Sequence, residues 1–277
     1  MRDAKKSEIL SRLIAETISQ EMVRPLGLLA VNQSYLWTHL GCDAPDADEK
    51  VKQALEGIEL ARENMERMWR NCADLYACIY DQVYPRQEPV DLCALLQLIQ
   101  EESTSIERAV NVKIETQLPQ EPFCVTTDAA MAEQIVLNLL SNALQASKPG
   151  GKVILGLRKE KDSAQLLIQD FCGGMTGRIA RTLCCGTAMA EEPSWSAGVG
   201  LHLCREMCEL LEWRPAVKTN SSGTTVTLDI PMEKMALNSK LLFRSASGDE
   251  DICRAECLAR IRLELSGVPG LEGYWTK

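Results

Sequence analysis

The stretch QIVLNLLSNALQAS, residues 134–147, decides the fold expected for the second half of the chain. Its apolar residues recur at helical spacing and predict a helix from Asp128 to about Ser147. Asn138 and Asn142 lie one turn apart, on the same face of that helix. Asparagine is a mediocre helix former, so this pair predicts either buried, hydrogen-bonded amides or ligands for a hard cation such as Mg²⁺.

Two glycine-containing motifs follow this helix in order. The strand predicted for AQLLIQD ends in Asp170 and runs into FCGGMTG, and SAGVGLHL then opens another helix. A carboxylate at a strand end can accept a hydrogen bond from an adenine amino group, and glycines before a helix N-terminus suit a phosphate. The ordered set, closed by the strand motif GTTVTLDIP, predicts a nucleotide-binding site.

Residues from about Glu88 to Met232 resemble the ATP-binding domain of sensor histidine kinases, within the wider gyrase, Hsp90, histidine-kinase and MutL ATPase superfamily. QIVLNLLSNALQAS is similar to the asparagine box of that family, DFCGGM to its Asp-x-Gly-x-Gly-Met box, and GVGLHLCREMCELL to its last glycine box. The resemblance implies an α/β sandwich that binds ATP and Mg²⁺.

The resemblance also implies roles for individual residues. Asn142 would coordinate Mg²⁺, Asn138 would support the phosphates and Asp170 would read adenine. The full set of residues expected to bind the nucleotide is Asn138, Asn142, Asp170, Gly174, Gly198, Gly200, Leu201 and Thr224.

Two positions depart from the family pattern. Cys172 stands where the Asp box has its first glycine, and a Cβ there is expected to clash with the nucleotide or with a backbone of positive φ, which would reduce affinity. Asn138 stands where relatives that hydrolyse ATP directly carry a glutamate. An amide cannot act as a general base, so rapid ATP hydrolysis is not expected.

The N-terminal part predicts two long helices. Apolar residues recur at helical spacing from Asp3 to Leu40 and from Ala47 to Val83, with the turn segment GCDAPDAD between them. Each helix would be about 50 Å long, and a lone hairpin of this kind buries too little, so a dimeric four-helix bundle is expected. The predicted fold class is α+β, with a long antiparallel helical hairpin in residues 1–84, the α/β sandwich in 88–232 and a partly helical extension in 233–277. Within this plan YPRQEP is expected to be a linker, residues 91–109 one helix and the stretch between FCGGMTG and SAGVGLHL mostly loop.

The hairpin resembles the dimerisation and phosphotransfer domain of the same kinases. Their Ser-His-Glu-Leu-Arg-Thr-Pro-Leu signature aligns without a gap on Ser19–Leu26, but Gln20 stands at the phosphoacceptor position. A glutamine amide cannot form a phosphoramidate, so autophosphorylation is not expected there. Glu21 is a candidate base, whereas Arg24 replaces the residue that helps to position water, so phosphatase activity is not expected either.

The sequence leaves three functions open, and with them whether the chain is an enzyme. The first is a degenerate, ATP-binding histidine-kinase homologue that acts by nucleotide-dependent binding to a response regulator or to another histidine kinase, as a homodimer. The second is an active kinase that phosphorylates a histidine of a partner or a hydroxyl such as that of Ser19. The third is a structural dimer with a dead nucleotide pocket.

Composition restricts the remaining possibilities. The net charge of -9 argues against a general partner role for nucleic acid or an anionic membrane. No apolar run approaches the roughly 20 residues of a membrane span, so a cytoplasmic location is expected. The twelve cysteines are expected to be reduced and mostly buried, with the Cys204–Cys208 spacing marking a helix face rather than a zinc site. His39 and His202 are expected to be ordinary surface or structural residues.

Overall fold

A computed structural model describes residues 27–29, 31–32, 35–36, 47–79, 83–160, 163–173, 177–184, 198–231, 250–266 and 268. Gln20, Glu21 and Gly174 lie outside these residues, as do Ser19, Arg24 and His39. Before residue 47 the described positions are helical. The antiparallel hairpin and its dimeric bundle therefore stay predictions, as do the three domain boundaries.

The described residues form helices and strands in a mixed order. The helices are α1 (Ala47–Ile79), α2 (Leu92–Glu102), α3 (Thr104–Val110), α4 (Ala129–Ala146), α5 (Gly177–Cys184), α6 (Gly198–Leu211) and α7 (Glu250–Leu265). The strands are β1 (Glu88–Asp91), β2 (Lys113–Gln117), β3 (Cys124–Thr127), β4 (Lys152–Lys159), β5 (Ser163–Asp170), β6 (Arg214–Asn220) and β7 (Gly223–Pro231).

A five-stranded mixed sheet is the base of the fold. Its strand order is β2-β4-β5-β7-β6, and only the β2–β4 pair is parallel. In β7 buried residues alternate with half-buried ones, which is the pattern of a strand with one face on a core. Strands β1 and β3 form a separate antiparallel pair.

Helices α2 to α6 all contact this sheet. Helices α2 and α3 contact β2, α4 contacts β4 and β5, and α5 and α6 contact β6. Helix α4 is rich in fully buried side chains, including Ile135, Leu137 and Leu140. The Asp128 carboxylate caps its first turn by accepting the backbone N–H of Met131 at 3.0 Å. The predicted combination of helices and a mixed sheet is confirmed.

Helices α1 and α7 add a further layer on the helical side. Helix α1 packs along α6, and α7 packs against α4, α1 and α2. Helix α6 is buried around most of its circumference, as expected for a helix that lies between a sheet and another helix. Cys72 and Leu75 belong to the apolar stripe that was expected to pack on other helices of a bundle, and here they are buried in the core of the chain's own sheet domain.

The structure differs from the predicted elements in three places. The single helix predicted across residues 91–109 breaks at Ser103 into α2 and α3, where Ser and Thr side chains compete with helical hydrogen bonds; the Thr104 hydroxyl donates to the Gln100 carbonyl at 3.3 Å. Strand β1 includes Pro89 and extends into a segment predicted as linker. Helix α5 lies in a stretch predicted as loop.

Among the described helices, none combines the length and the apolar character needed to cross a bilayer. The described cysteines are free thiols, and most of them are buried. Cys204 and Cys208 are completely buried in the core, which raises the pKa of the Cys208 thiol to about 12. Both therefore act as small apolar residues of a helix face.

Candidate nucleotide-binding site

Asp170 is the last residue of β5 and is buried, with 7% of its surface exposed. Its Oδ1 accepts the backbone N–H of Cys172 at 3.0 Å and that of Thr224 at 3.2 Å. Both bonds use the same oxygen, so Oδ2 is the atom through which this carboxylate could accept a further donor such as an amino group. The structure thus brings together two of the predicted binding residues, Asp170 and Thr224.

The position of Asp170 depends on Gly223, which was not among the predicted site residues. A Cβ on Gly223 would lie 2.2 Å from the Asp170 carbonyl oxygen and 2.8 Å from the Phe171 Cα. Gly223 also has a φ of +146°, a conformation that few other residues adopt. Strand β7 can therefore approach the end of β5 closely enough for the Thr224 N–H to reach the carboxylate. The turn-forming segment SSG, residues 221–223, was the sequence signal that could have indicated the importance of Gly223.

Asn138 and Gly200 are the second pair that the fold brings together. Asn138 is buried on α4, and a Cβ on Gly200 would lie 2.6 Å from its Oδ1. Its Nδ2 donates to the Gln134 carbonyl at 3.2 Å. The predicted asparagine motif and the predicted last glycine motif are therefore in direct contact, and any side chain at position 200 would have to displace Asn138.

Three further predicted site residues, Asn142, Gly198 and Leu201, lie on these two helices. Asn142 is half-buried, one turn beyond Asn138 on the same face of α4. Gly198 opens α6 with a φ of +69°, which glycine adopts without strain. Leu201 is buried and belongs to the core beneath this site. Asn142 thus presents a carboxamide oxygen of the kind that Mg²⁺ accepts.

The backbone strain expected at Cys172 is not present, which corrects that part of the prediction. Among the described residues only Asn111 and Glu212 combine a side chain with positive φ, and the positive φ of the Asp motif falls on Gly173, at +65°. The Cys172 Sγ accepts the backbone N–H of Lys148 at 3.3 Å, just beyond the end of α4. A steric effect of the thiol on a nucleotide stays a prediction.

A polar cluster beside Asn138 was not predicted. The Asn71 side chain of α1 donates to the Asn138 Oδ1 at 3.5 Å and accepts from the Gln134 Nε2 at 3.3 Å. Gln134 also donates to the Glu264 Oε1 of α7 at 2.8 Å. These contacts join segments far apart in the chain, so neither motifs nor periodicity could have indicated them.

His202 is a buried residue of α6 and is not part of this cluster. Neither ring nitrogen has a hydrogen-bond partner among the described residues. Burial, and to a lesser extent the nearby Arg205 guanidinium, lowers the pKa of the imidazole to about 4. His202 is therefore neutral near pH 7. The prediction of a structural rather than catalytic histidine agrees with this environment, and the described residues form no cluster of three or more His, Cys, Asp or Glu side chains suited to a metal.

The region that contains these residues is similar to proteins of known families. Residues 127–234 match the family model described as histidine kinase-, DNA gyrase B- and HSP90-like ATPase. The chain is 29% identical over 133 residues to the alginate biosynthesis sensor protein KinB of Pseudomonas aeruginosa, covering 47% of this chain and 22% of that protein. It is 23% identical over 212 residues to the aerobic respiration control sensor protein ArcB homolog of Haemophilus influenzae, covering 75% and 62%.

The solved structures show a related fold. The histidine kinase ThkA, in a crystal structure with the response regulator protein TrrA, matches with a TM-score of 0.62 and 14% identity, over 83% of this chain and 64% of that one. The chain thus spans less than two thirds of each of these three proteins. Residues 127–234, which contain the Asn138–Gly200 and Asp170–Thr224 contacts, form a domain of the histidine kinase-, DNA gyrase B- and HSP90-like ATPase family, related to that of the sensor histidine kinases.

Proposed function

We propose that this domain binds ATP with Mg²⁺ between α4, the start of α6 and the end of β5. The observation that carries the proposal is the direct contact of Asn138 with Gly200, because it joins the asparagine and glycine motifs at one place. In this proposal the Asn142 carboxamide binds Mg²⁺, Asn138 supports the phosphates and the Asp170 Oδ2 accepts the adenine amino group. Gly174 is assigned to the same site from its motif alone.

The proposed function includes nucleotide binding but neither rapid ATP hydrolysis nor autophosphorylation. The side chain one turn before Asn142 is the amide of Asn138, which cannot abstract a proton from water, so the bound nucleotide would be hydrolysed slowly. Gln20 offers no nucleophilic nitrogen at the phosphoacceptor position of the resemblance. We therefore infer a signalling protein of a two-component system that is degenerate in autophosphorylation and acts through the nucleotide-dependent conformation of its ATP-binding domain.

Its proposed partners follow from the same relationship. The related ThkA structure contains a response regulator, and a response regulator or another histidine kinase is the partner that we propose here. A homodimer and a cytoplasmic location are also proposed, from the helical stripes and composition. Pull-down with and without Mg-ATP, followed by identification of the bound protein, tests the proposed partners. Equal capture of the partner with and without Mg-ATP would contradict nucleotide-dependent binding.

Calorimetric titration with Mg-ATP tests the binding itself. Asn142→Ala and Asp170→Ala should each weaken binding by about 1–3 kcal/mol, the usual cost of removing one partner of a buried polar contact. Asp229→Ala is the matched control, because Asp229 pairs with Gln165 about 17 Å along β5 from Asp170. Wild-type protein that does not bind Mg-ATP would leave only a structural role.

Incubation with ATP labelled at the γ-phosphate separates a degenerate homologue from an active kinase. We expect no acid-labile label on the chain or on its partner. Acid-labile label on a partner, or acid-stable label at a hydroxyl such as that of Ser19, would establish phosphotransfer and overturn the degenerate assignment.

A further inference from the structure

The last turn of α7 contacts α4, the helix that carries Asn138 and Asn142. The Glu264 carbonyl oxygen belongs to the last turn of α7 and has no partner within that helix. It accepts the Ser141 hydroxyl of α4 and the Arg67 Nη1 of α1, each at 3.0 Å. The Glu264 carboxylate accepts Gln134 of α4 at 2.8 Å. Three helices thus meet at a single turn.

Two ion pairs hold the rest of α7 in the same position. The Arg262 guanidinium lies 2.8 Å from the Glu63 Oε1 of α1, and Arg260 lies 3.2 Å from the Glu133 Oε2 of α4. Both carboxylates are almost fully buried, with side-chain exposures of 5% and 4%. A buried carboxylate is costly unless it is paired, so these two arginines favour the docked position of α7.

These contacts involve the face of α4 that carries Asn138 and Asn142, here called the asparagine face. Gln134, Asn138, Ser141 and Asn142 follow one another at spacings of one turn or less along neighbouring positions of that face. The first three contact α1 or α7. The Asn138 oxygen, proposed to face the phosphates, is instead directed to Asn71 of α1. While α1 is docked, Asn138 is engaged by protein rather than by a ligand.

Helix α1 also packs against a polar part of α6. Glu206 of α6 is buried and lies close enough to Cys78 of α1 for its charge to help raise the pKa of that thiol. Undocking of α1 would expose this carboxylate to water, which offsets part of the lost apolar contact.

The junction of α1 and α7 is itself open to water. A cleft of about 510 Å³ lies between them, and its lining includes Glu63, Arg260 and Arg262 of the two ion pairs. The Arg260 and Arg262 side chains are 34% and 38% exposed, so solvent screens both ion pairs in part. Their separation therefore costs less than that of a fully enclosed pair.

We propose that α7 is a latch: docked on α1 and α4 it holds α1 against the asparagine face, and its release frees the Asn138 carboxamide for Mg-ATP. The inference rests on the proposed nucleotide site. Because two linked equilibria act on each other equally, Mg-ATP should in turn favour release of α7.

Arg262→Glu tests the latch in the full-length chain. It places a carboxylate against Glu63 and leaves every proposed nucleotide-binding residue unchanged. Mg-ATP should bind this variant about tenfold more tightly than wild type. Glu63→Lys/Arg262→Glu is the matched control, because it restores an opposite-charge pair and should return the affinity to the wild-type value. Arg260→Ala, which removes the pair with Glu133, is the second opening variant if circular dichroism shows that Arg262→Glu does not fold.

Hydrogen exchange provides a readout that does not depend on activity. Amide exchange in residues 250–265 should be faster in Arg262→Glu than in wild type, and Mg-ATP should accelerate the same segment in wild type. Unchanged exchange in both opening variants would overturn the latch, as would faster exchange with an unchanged nucleotide affinity. If no variant binds Mg-ATP, both the latch and the proposed function are wrong, whereas equal binding by wild type and opened variants contradicts the latch alone.

Discussion

The Oδ1 atom of Asn138 lies where a side chain at position 200 would begin, 2.6 Å from a Cβ built on Gly200. This contact fixes the distance between α4 and the first turn of α6. It also explains the second glycine of the GVG motif, since the backbone at position 200 passes directly beside the Asn138 carboxamide.

Gly200→Ala should therefore displace Asn138. We expect the free energy of unfolding to fall by about 1–3 kcal/mol, the usual cost of overpacking, and Mg-ATP affinity to fall with it. Urea denaturation and calorimetry measure the two effects. Combining the change with Asn138→Ala makes room for the new methyl group, so the double variant should lose less stability than the sum of the single losses. Strict additivity would show that the two residues do not interact.

Gly223→Ala should be more damaging, because the new Cβ would meet the Asp170 carbonyl oxygen at 2.2 Å and the φ of +146° is also unfavourable. We expect a loss of at least about 3 kcal/mol in the free energy of unfolding by urea denaturation. Gly150→Ala is the control. Gly150 also has positive φ, at +83°, but has no described heavy atom within 4 Å of its added Cβ. Its loss should stay near 1 kcal/mol. Equal losses would mean that close packing at Gly223 is unimportant.

The burial of His202 predicts a pH dependence of stability. Its pKa is about 4 in the folded chain against the ordinary 6.5, so the unfolded chain binds more protons between these two values. Stability from this residue is complete above pH 6.5 and falls by up to about 3 kcal/mol as the pH drops to 4. The carboxyl groups of Glu133 and Glu264, whose pKa burial raises, contribute to the pH dependence in the opposite direction.

The contribution of His202 is therefore obtained by difference. Denaturation curves of wild type and His202→Leu between pH 4 and 7.5 should diverge as the pH falls, with wild type losing more stability. Parallel curves for wild type and His202→Leu would show that this imidazole titrates normally.

Gln20→His tests the missing phosphoacceptor. An imidazole at this position supplies the nucleophilic nitrogen that glutamine lacks, so the variant should acquire acid-labile label from γ-labelled ATP if the rest of the phosphotransfer apparatus is intact. Gln20→Asn keeps an amide and should acquire none. Label in wild type at the level of Gln20→His would contradict the inference that Gln20 prevents autophosphorylation.

Much of the sheet domain could be predicted because its signals are local. Helix α4 follows from apolar spacing and from the Asp128 cap, and strand β7 from its alternation. Asp170 and Thr224 could be selected because their motifs stand next to turn-forming glycines. The break at Ser103 was missed because the apolar pattern continues through it, while the competing hydroxyl hydrogen bond depends on the folded backbone.

The sequence by itself determined most of the element types, the motifs proposed to bind a nucleotide and the identity of Gln20, because each depends on neighbouring residues. Only the tertiary structure decided that Gly223 sets the approach of β7 to Asp170, that Asn138 is in contact with Asn71, and that Glu264 closes the junction of α1, α4 and α7. These are packing relations between segments distant in the chain. The burial and geometry that define them exist only once the helices are docked.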